Sequence, residues 1–162
     1  MIRLTRIDDR LLHGQVAFTW IPALGVDCLI IANDKVAKDE FMKLTLGLAK
    51  PAGIKLLIKS LNDAAIFLND EKNKSLNILL IINGVKDALY LVTDVPEIKS
   101  VNFGGLRSKE GSNLISKAIA ITEDDISDIK KLINKGIELE VRQVPTDSKQ
   151  RVESLIELKL NA

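Results

Sequence analysis

The sequence predicts an α/β fold: a single three-layer domain over residues 1–162, with a mostly parallel seven-stranded sheet and helices on both faces. Three observations predict it. Short apolar runs recur roughly every 25 residues, about the length of a strand–helix unit. Segments with helical periodicity and legible ends lie between them. Several runs are continuously apolar rather than alternating, as befits strands covered on both faces of a parallel sheet.

The chain opens on MIRLTRID, where charged and apolar residues mix; its Ile, Leu and Thr content and the loop after it mark a first strand. CLIIA (28–32) is the second, and DEFMKLTLGLA (39–49) is a helix closed by Lys50 and Pro51. KLLIK (55–59) is the third strand, and Ser60 to Asp63 start a helix over AAIFL. ILLII (78–82) is the fourth, followed by a short helix over 86–93 before Pro96. SVNF (100–103) is the fifth. Only about a dozen residues, GGLRSKEGSNLIS, separate it from KAIAI (117–121), which is short for a parallel crossover, so one antiparallel strand near a sheet edge is expected. Thr122 to Asp125 reads as a capping box; Ile126, Ile129, Leu132 and Ile133 then share a helix face, and Gly136 stops it. LEVRQV (139–144) is the last strand. Residues 147–160 place Val152, Leu155, Ile156 and Leu160 on one stripe of a terminal helix, which Pro145, Thr146 and Asp147 cap.

Composition narrows the function. The net charge of +1 and the 4% aromatic content offer neither the basic field nor the stacking surface that nucleic acid requires. The one cysteine, Cys28, lies in an apolar run as a buried thiol, which excludes an internal disulfide and a cysteine-rich metal site. No apolar run approaches membrane-spanning length, and the charged start lacks the apolar centre of a signal peptide, so a cytoplasmic protein is expected.

The chemistry concentrates in Asp9-Arg10-Leu11-Leu12-His13-Gly14-Gln15. His13 is the only histidine. It falls in a strand-to-helix loop, where ligand sites of open α/β sheets form. An imidazole, with an ordinary pKa of about 6.5, serves as nucleophile or base near neutrality. Arg10 brings a planar donor fork suited to phosphate oxygens. A helix starting near Gly14 and Gln15 aims free amides at an anion. Either Asp8 or Asp9 could hold the other ring nitrogen. Gly104 and Gly105, after the fifth strand, either form a turn needing glycine or bring backbone to the same rim. Arg107, Ser108 and Lys109 read as solvated loop residues. There is no GxxxxGK[ST], GxGxxG or GxSxG, and neither a metal nor a cofactor is expected. Three roles fit: a phosphoryl carrier, a non-enzymatic anion-binding module, or a hydrolase or mutase using His13 as base, which would need a second acid–base partner.

RIDDRLLHGQV strongly resembles the phosphorylation loop of IIB subunits of the mannose-fructose-sorbose family of the bacterial sugar phosphotransferase system. The likeness runs the whole chain, through VNFGG, the KAIAIT segment and the later Val144, Pro145 and Asp147. It implies that His13 accepts a phosphoryl group on Nδ1 from phosphohistidine on a IIA partner. The group then passes to a sugar bound by membrane IIC and IID subunits, coupling uptake to phosphorylation. Arg10 matches the loop arginine that binds the phosphoryl group. With one histidine, the chain reads as a stand-alone IIB at the inner membrane face. The sugar and the oligomeric state stay open, a homo-oligomer included. Partial solvent access to His13 is expected, because two partners must reach it in turn.

Overall fold

The computed structural model describes residues 1–160, the side chain of Leu160 excepted, so that residue's place on the expected apolar stripe lies outside the described residues. The strands are β1 (Ile2–Asp8), β2 (Cys28–Ala32), β3 (Lys55–Lys59), β4 (Ile78–Ile82), β5 (Ser100–Gly105), β6 (Asn113–Ser116), β7 (Ile119–Ile121), β8 (Glu138–Val141) and β9 (Gln150–Arg151). The helices are α1 (Ile21–Leu24), α2 (Asp34–Ala37), α3 (Glu40–Leu48), α4 (Leu61–Asn69), α5 (Val85–Asp94), α6 (Glu123–Asn134) and α7 (Val152–Leu160). A π-helical stretch, Val16–Trp20, runs directly into α1.

Seven strands form one sheet in the order β3-β2-β4-β1-β5-β8-β9, and only β9 runs antiparallel to its neighbour. Every residue of β2 and β4 is buried, which is why CLIIA and ILLII carry no polar face. Helices α4, α5, α6 and α7 pack one face through Ala64, Leu91, Leu132 and Val152. The other face is covered by Val16, Trp20 and Ile21, with Val36 of α2 and Leu46 of α3. Central β1 therefore sends its chain to one face, whereas its neighbour β4 sends α5 to the other. Such a reversal opens a crevice at the carboxyl ends of the strands, and the loop after β1 sits there.

The capping box before α6 forms as the sequence indicates. Thr122 accepts from the Asp125 amide at 3.1 Å, and Asp125 accepts from the Thr122 amide at 3.0 Å. Gly136, with φ +80°, ends that helix.

Expectations for two regions need correction. KAIAI is not a strand of the main sheet. Its Ile119–Ile121 pairs antiparallel with β6 as a separate hairpin, touching the main sheet's continuation through a bridge from Leu106 to Ile119. The Gly/Ser-rich stretch is too short for a crossover; it supplies β6 instead, and Lys117 and Ala118 turn the chain back into β7. The antiparallel edge strand is instead β9, so the terminal helix starts at Val152 rather than 147. Asp147 does not cap it: its carboxylate takes the amides of Gln143 and Val144 at 3.0 and 3.2 Å, closing the turn after β8.

Replacing Thr122 with Ala should lower unfolding free energy by about 1 kcal/mol. The check is the urea midpoint, with an unchanged denaturant slope.

Candidate functional site

The loop after β1 is held through its backbone and both leucines. The Leu11 amide donates to the Asp8 carbonyl at 2.9 Å, and the Arg10 amide to Asp8 Oδ1 at 3.1 Å. This turn carries Leu11 at φ +61°, an unfavourable conformation for a residue with a Cβ, costing about 1–3 kcal/mol. Burial of the Leu11 and Leu12 side chains beneath the loop offsets that cost. Asp9 fastens the other side. Its amide donates to the Gly105 carbonyl at 2.9 Å, and its carboxylate takes the Arg107 amide at 2.9 Å and the Arg107 guanidinium at 3.2 Å. The turn thus folds His13 back over the end of β1.

Asp8, not Asp9, faces the imidazole. His13 Nε2 lies 2.8 Å from Asp8 Oδ2. An ionised carboxylate only accepts, so Nε2 carries the proton and Nδ1 keeps its lone pair in the neutral ring. Arg10 Nη2 stands 3.3 Å from Nδ1, where its N–H donates. The His13 side chain is 15% exposed and Arg10 is exposed, so the nitrogen beside Arg10 faces the accessible side. Burial alone would raise the Asp8 carboxyl. The His13 hydrogen bond, the Arg6 charge and the Arg10 amide outweigh it, and the group sits below its ordinary value of 3.8.

Behind Asp8 lies a layer that the sequence reading missed. Strand periodicity puts Arg6 and Asp8 on the same face of β1. Arg6 Nε and Nη2 approach Asp8 Oδ2 at 3.3 and 3.2 Å, and Nη1 donates to Asn102 Oδ1 at 2.9 Å and the Arg142 carbonyl at 3.2 Å. Asn102 donates in turn to Glu140 at 3.1 Å, and Glu140 holds the Arg142 guanidinium at 2.9 and 3.0 Å. The Arg6 and Arg142 guanidinium carbons lie 5.4 and 5.1 Å from the centre of the Trp20 ring, whose Nε1 donates to the Gln143 carbonyl at 2.9 Å. The signal was present: an arginine between Thr5 and Ile7 in a strand, and alternating charges in LEVR.

A cleft of about 420 Å³ opens beside this loop, lined by Asp8, Asp9, Arg10, Gln15, Gly104 and Gly105 among others. Arg107, Ser108 and Lys117 join the same lining. His13 is not itself a lining residue; it meets the cleft through Asp8 and Arg10. Arg107 is a solvated loop residue as expected, and it also pairs with Asp9 at the edge of this cleft. Gly104 and Gly105 end β5 rather than forming a turn, and neither has the positive φ that would demand glycine. At 104, a Cβ would fall 2.0 Å from the Arg6 guanidinium carbon; at 105, one would meet Asp8 Oδ1 at 3.3 Å. Helical hydrogen bonding starts at the His13 carbonyl, which accepts from the Ala17 amide at 3.0 Å, so the Gly14, Gln15 and Val16 amides precede it at the helix start.

Comparison with known proteins gives this geometry a family. The model of the PTS system sorbose subfamily IIB component matches residues 2–162. The mannose-specific EIIAB component of Escherichia coli K12 is 36% identical over 96% of this chain, which spans 48% of that longer protein. The fructose-specific EIIB component of Bacillus subtilis is 32% identical, the match covering 92% of this chain and 91% of the relative. The crystal structure of the IIBSor domain of the sorbose permease from Klebsiella pneumoniae aligns with a TM-score of 0.92 at 30% identity, covering 98% of this chain and 97% of that one. With a parallel sheet built alike and a match along nearly its entire length, this chain belongs to the sorbose-subfamily IIB components of the sugar phosphotransferase system.

Proposed function

We propose that His13 is the phosphoryl acceptor of this IIB component, and that it takes the group on Nδ1 from phosphohistidine of a IIA protein or domain. The observation that carries the reading is the pair of contacts on one ring: Asp8 occupies Nε2 at 2.8 Å, and Arg10 stands at 3.3 Å from Nδ1. The Nδ1 lone pair attacks phosphorus, the donor's P–N bond breaks, and the donor imidazole leaves with the electron pair. Arg10 neutralises charge on the equatorial oxygens, and the amides of Gly14 and Gln15 add the partial positive charge of a helix start. Asp8 retains the Nε2 proton and balances the positive charge of the phosphorylated ring. In the second transfer a sugar hydroxyl attacks phosphorus, the P–Nδ1 bond breaks with its electron pair returning to Nδ1, and the hydroxyl proton is released to solvent.

The acceptor sugar is held by membrane IIC and IID subunits, so the chain works in the cytoplasm at the inner membrane face, as one IIB unit over residues 1–162. No helix among the described residues is long and apolar enough to cross a membrane. The partial exposure of His13 and the open cleft at its side support serial access by two partners. Gln15, Gly104 and Gly105 line the approach, and Asp9 keeps the loop in register with Arg107.

The experiment is incubation with phosphoenolpyruvate, enzyme I, HPr and a cognate IIA, followed by intact mass measurement. One added phosphoryl group, stable to base, labile to acid and absent from His13→Ala, is the expected result. No gain beside a demonstrably phosphorylated IIA would leave the loop an anion-binding module.

Replacing His13 with Gln should abolish transfer and, by removing the Nε2 contact to buried Asp8, lower the unfolding free energy by about 1–3 kcal/mol. Arg10→Gln should slow transfer about 100-fold, the scale of losing one charge-stabilising donor, without altering the fold; unchanged single-turnover rates would remove Arg10 from the chemistry. Asp8 gives a pH-dependent prediction. Its carboxyl is lowered in the fold, so its stabilisation is fully present above the ordinary value of 3.8 and is lost as pH falls through the lower folded value. Asp8→Asn should therefore cost about 3–5 kcal/mol at neutral pH, because it strands the Arg6 charge. That gap should narrow only below about pH 4, as measured by urea unfolding at a series of pH values.

A further inference from the structure

We infer that Arg6 is a positioning residue for transfer at His13: its buried guanidinium fixes the Asp8 carboxylate, which in turn presents the imidazole with Nδ1 unprotonated. The inference deepens the carrier reading and rests on it for its rate measurement, while its ring measurement stands without that reading.

Arg6 is 0% exposed. A buried cation costs several kcal/mol unless paired and hydrogen-bonded, so this side chain is placed against a strong opposing force. Two of its N–H groups converge on Asp8 Oδ2, the same oxygen that takes His13 Nε2. The other carboxylate oxygen is taken by the Arg10 amide. Between them these contacts leave the carboxylate one orientation, and the ring nitrogen bonded to it is fixed likewise. Without the guanidinium, the carboxylate could turn or take a proton, and the Nδ1–H tautomer, which has no lone pair to offer phosphorus, would become populated.

The surroundings of Arg6 fix its position as well. Arg6 is in register with Asn102 on β5, and Asn102 with Glu140 on β8, so one polar row crosses three strands on the face where Trp20 packs. Asn102 anchors the guanidinium at 2.9 Å. Gly104 supplies the space, since any Cβ there would occupy the guanidinium carbon's position. A charge required only for strand pairing would not need its donors on the oxygen that orients the sole histidine.

The test uses Arg6→Lys and Asn102→Ala in the full chain. Because His13 is the only histidine, long-range proton–nitrogen spectra of its ring are unambiguous. Wild-type protein should show one tautomer with Nε2 protonated. Arg6→Lys should show a mixture, and its limiting single-turnover rate from phosphorylated IIA should fall by about 10- to 100-fold, with the half-saturating donor concentration unchanged. A folded Arg6→Lys protein with wild-type ring signals and rate would overturn the inference. Should Arg6→Lys fail to fold, Asn102→Ala keeps the arginine but removes one anchor, and it should move the ring signals in the same direction; unmoved signals would overturn the inference. If wild type accepts no phosphoryl group at all, the carrier reading falls, and the ring signals alone decide the role of Arg6.

Discussion

A carboxylate caught between a buried guanidinium and an imidazole governs the organisation of this protein's site. At an effective dielectric of about 20, two unit charges 4 Å apart attract by about 4 kcal/mol, comparable to the several kcal/mol that burying each ion costs. Arg6 and Asp8 are therefore tolerable only together, and only with their remaining hydrogen-bonding capacity filled. Asn102, the Arg142 carbonyl, the Arg10 amide and His13 fill it. The glycine at 104, the tryptophan at 20 and the polar row over β1, β5 and β8 are arranged around this one pair.

The same pair also anchors the loop to the end of the sheet. Asp8 is at once the last residue of β1, the acceptor that closes the turn and the partner of the ring. Leu11 holds an unfavourable backbone angle, and its burial with Leu12 keeps it there. Strain of this kind, two residues before the proposed acceptor, is a form of pre-organisation: the turn through Leu11 gives the imidazole its orientation in advance. The outer half of the ring is flanked by exposed Arg10 and the open cleft. A carrier that meets two proteins in turn needs that division, with one nitrogen held from below and the other offered to solvent.

Much of this was legible in the sequence. The continuous apolar runs located β2 and β4, because a strand buried on both faces has no polar register to hide in. The capping box at Thr122 and the glycine at 136 delimited α6, because their physics is local. The unique histidine between Arg10 and Gly14 stood out for the same reason. What escaped notice depends on contacts far apart in the chain. A two-residue strand such as β9 is too short to have a period, so Gln150 and Arg151 were absorbed into the helix that follows. The three-residue β7 looked like a sheet strand because its hairpin partner β6 has a mixed composition. Arg6, Asn102 and Glu140 form one row over three strands, and such polar residue types ordinarily mark exposed positions. Only the packing of Trp20 over that face turns them into a buried network, and only then does Gly104 acquire a reason.

The central claim is that Asp8 and Arg10 divide the two nitrogens of His13 between orientation and chemistry. Nitrogen and phosphorus NMR on the phosphorylated, nitrogen-15-labelled protein tests it most directly, because one histidine gives one set of ring signals. The account predicts a phosphorus coupling to Nδ1 and a proton retained on Nε2. A phosphoryl group found on Nε2 would contradict it, since that nitrogen would have had to abandon Asp8 to react.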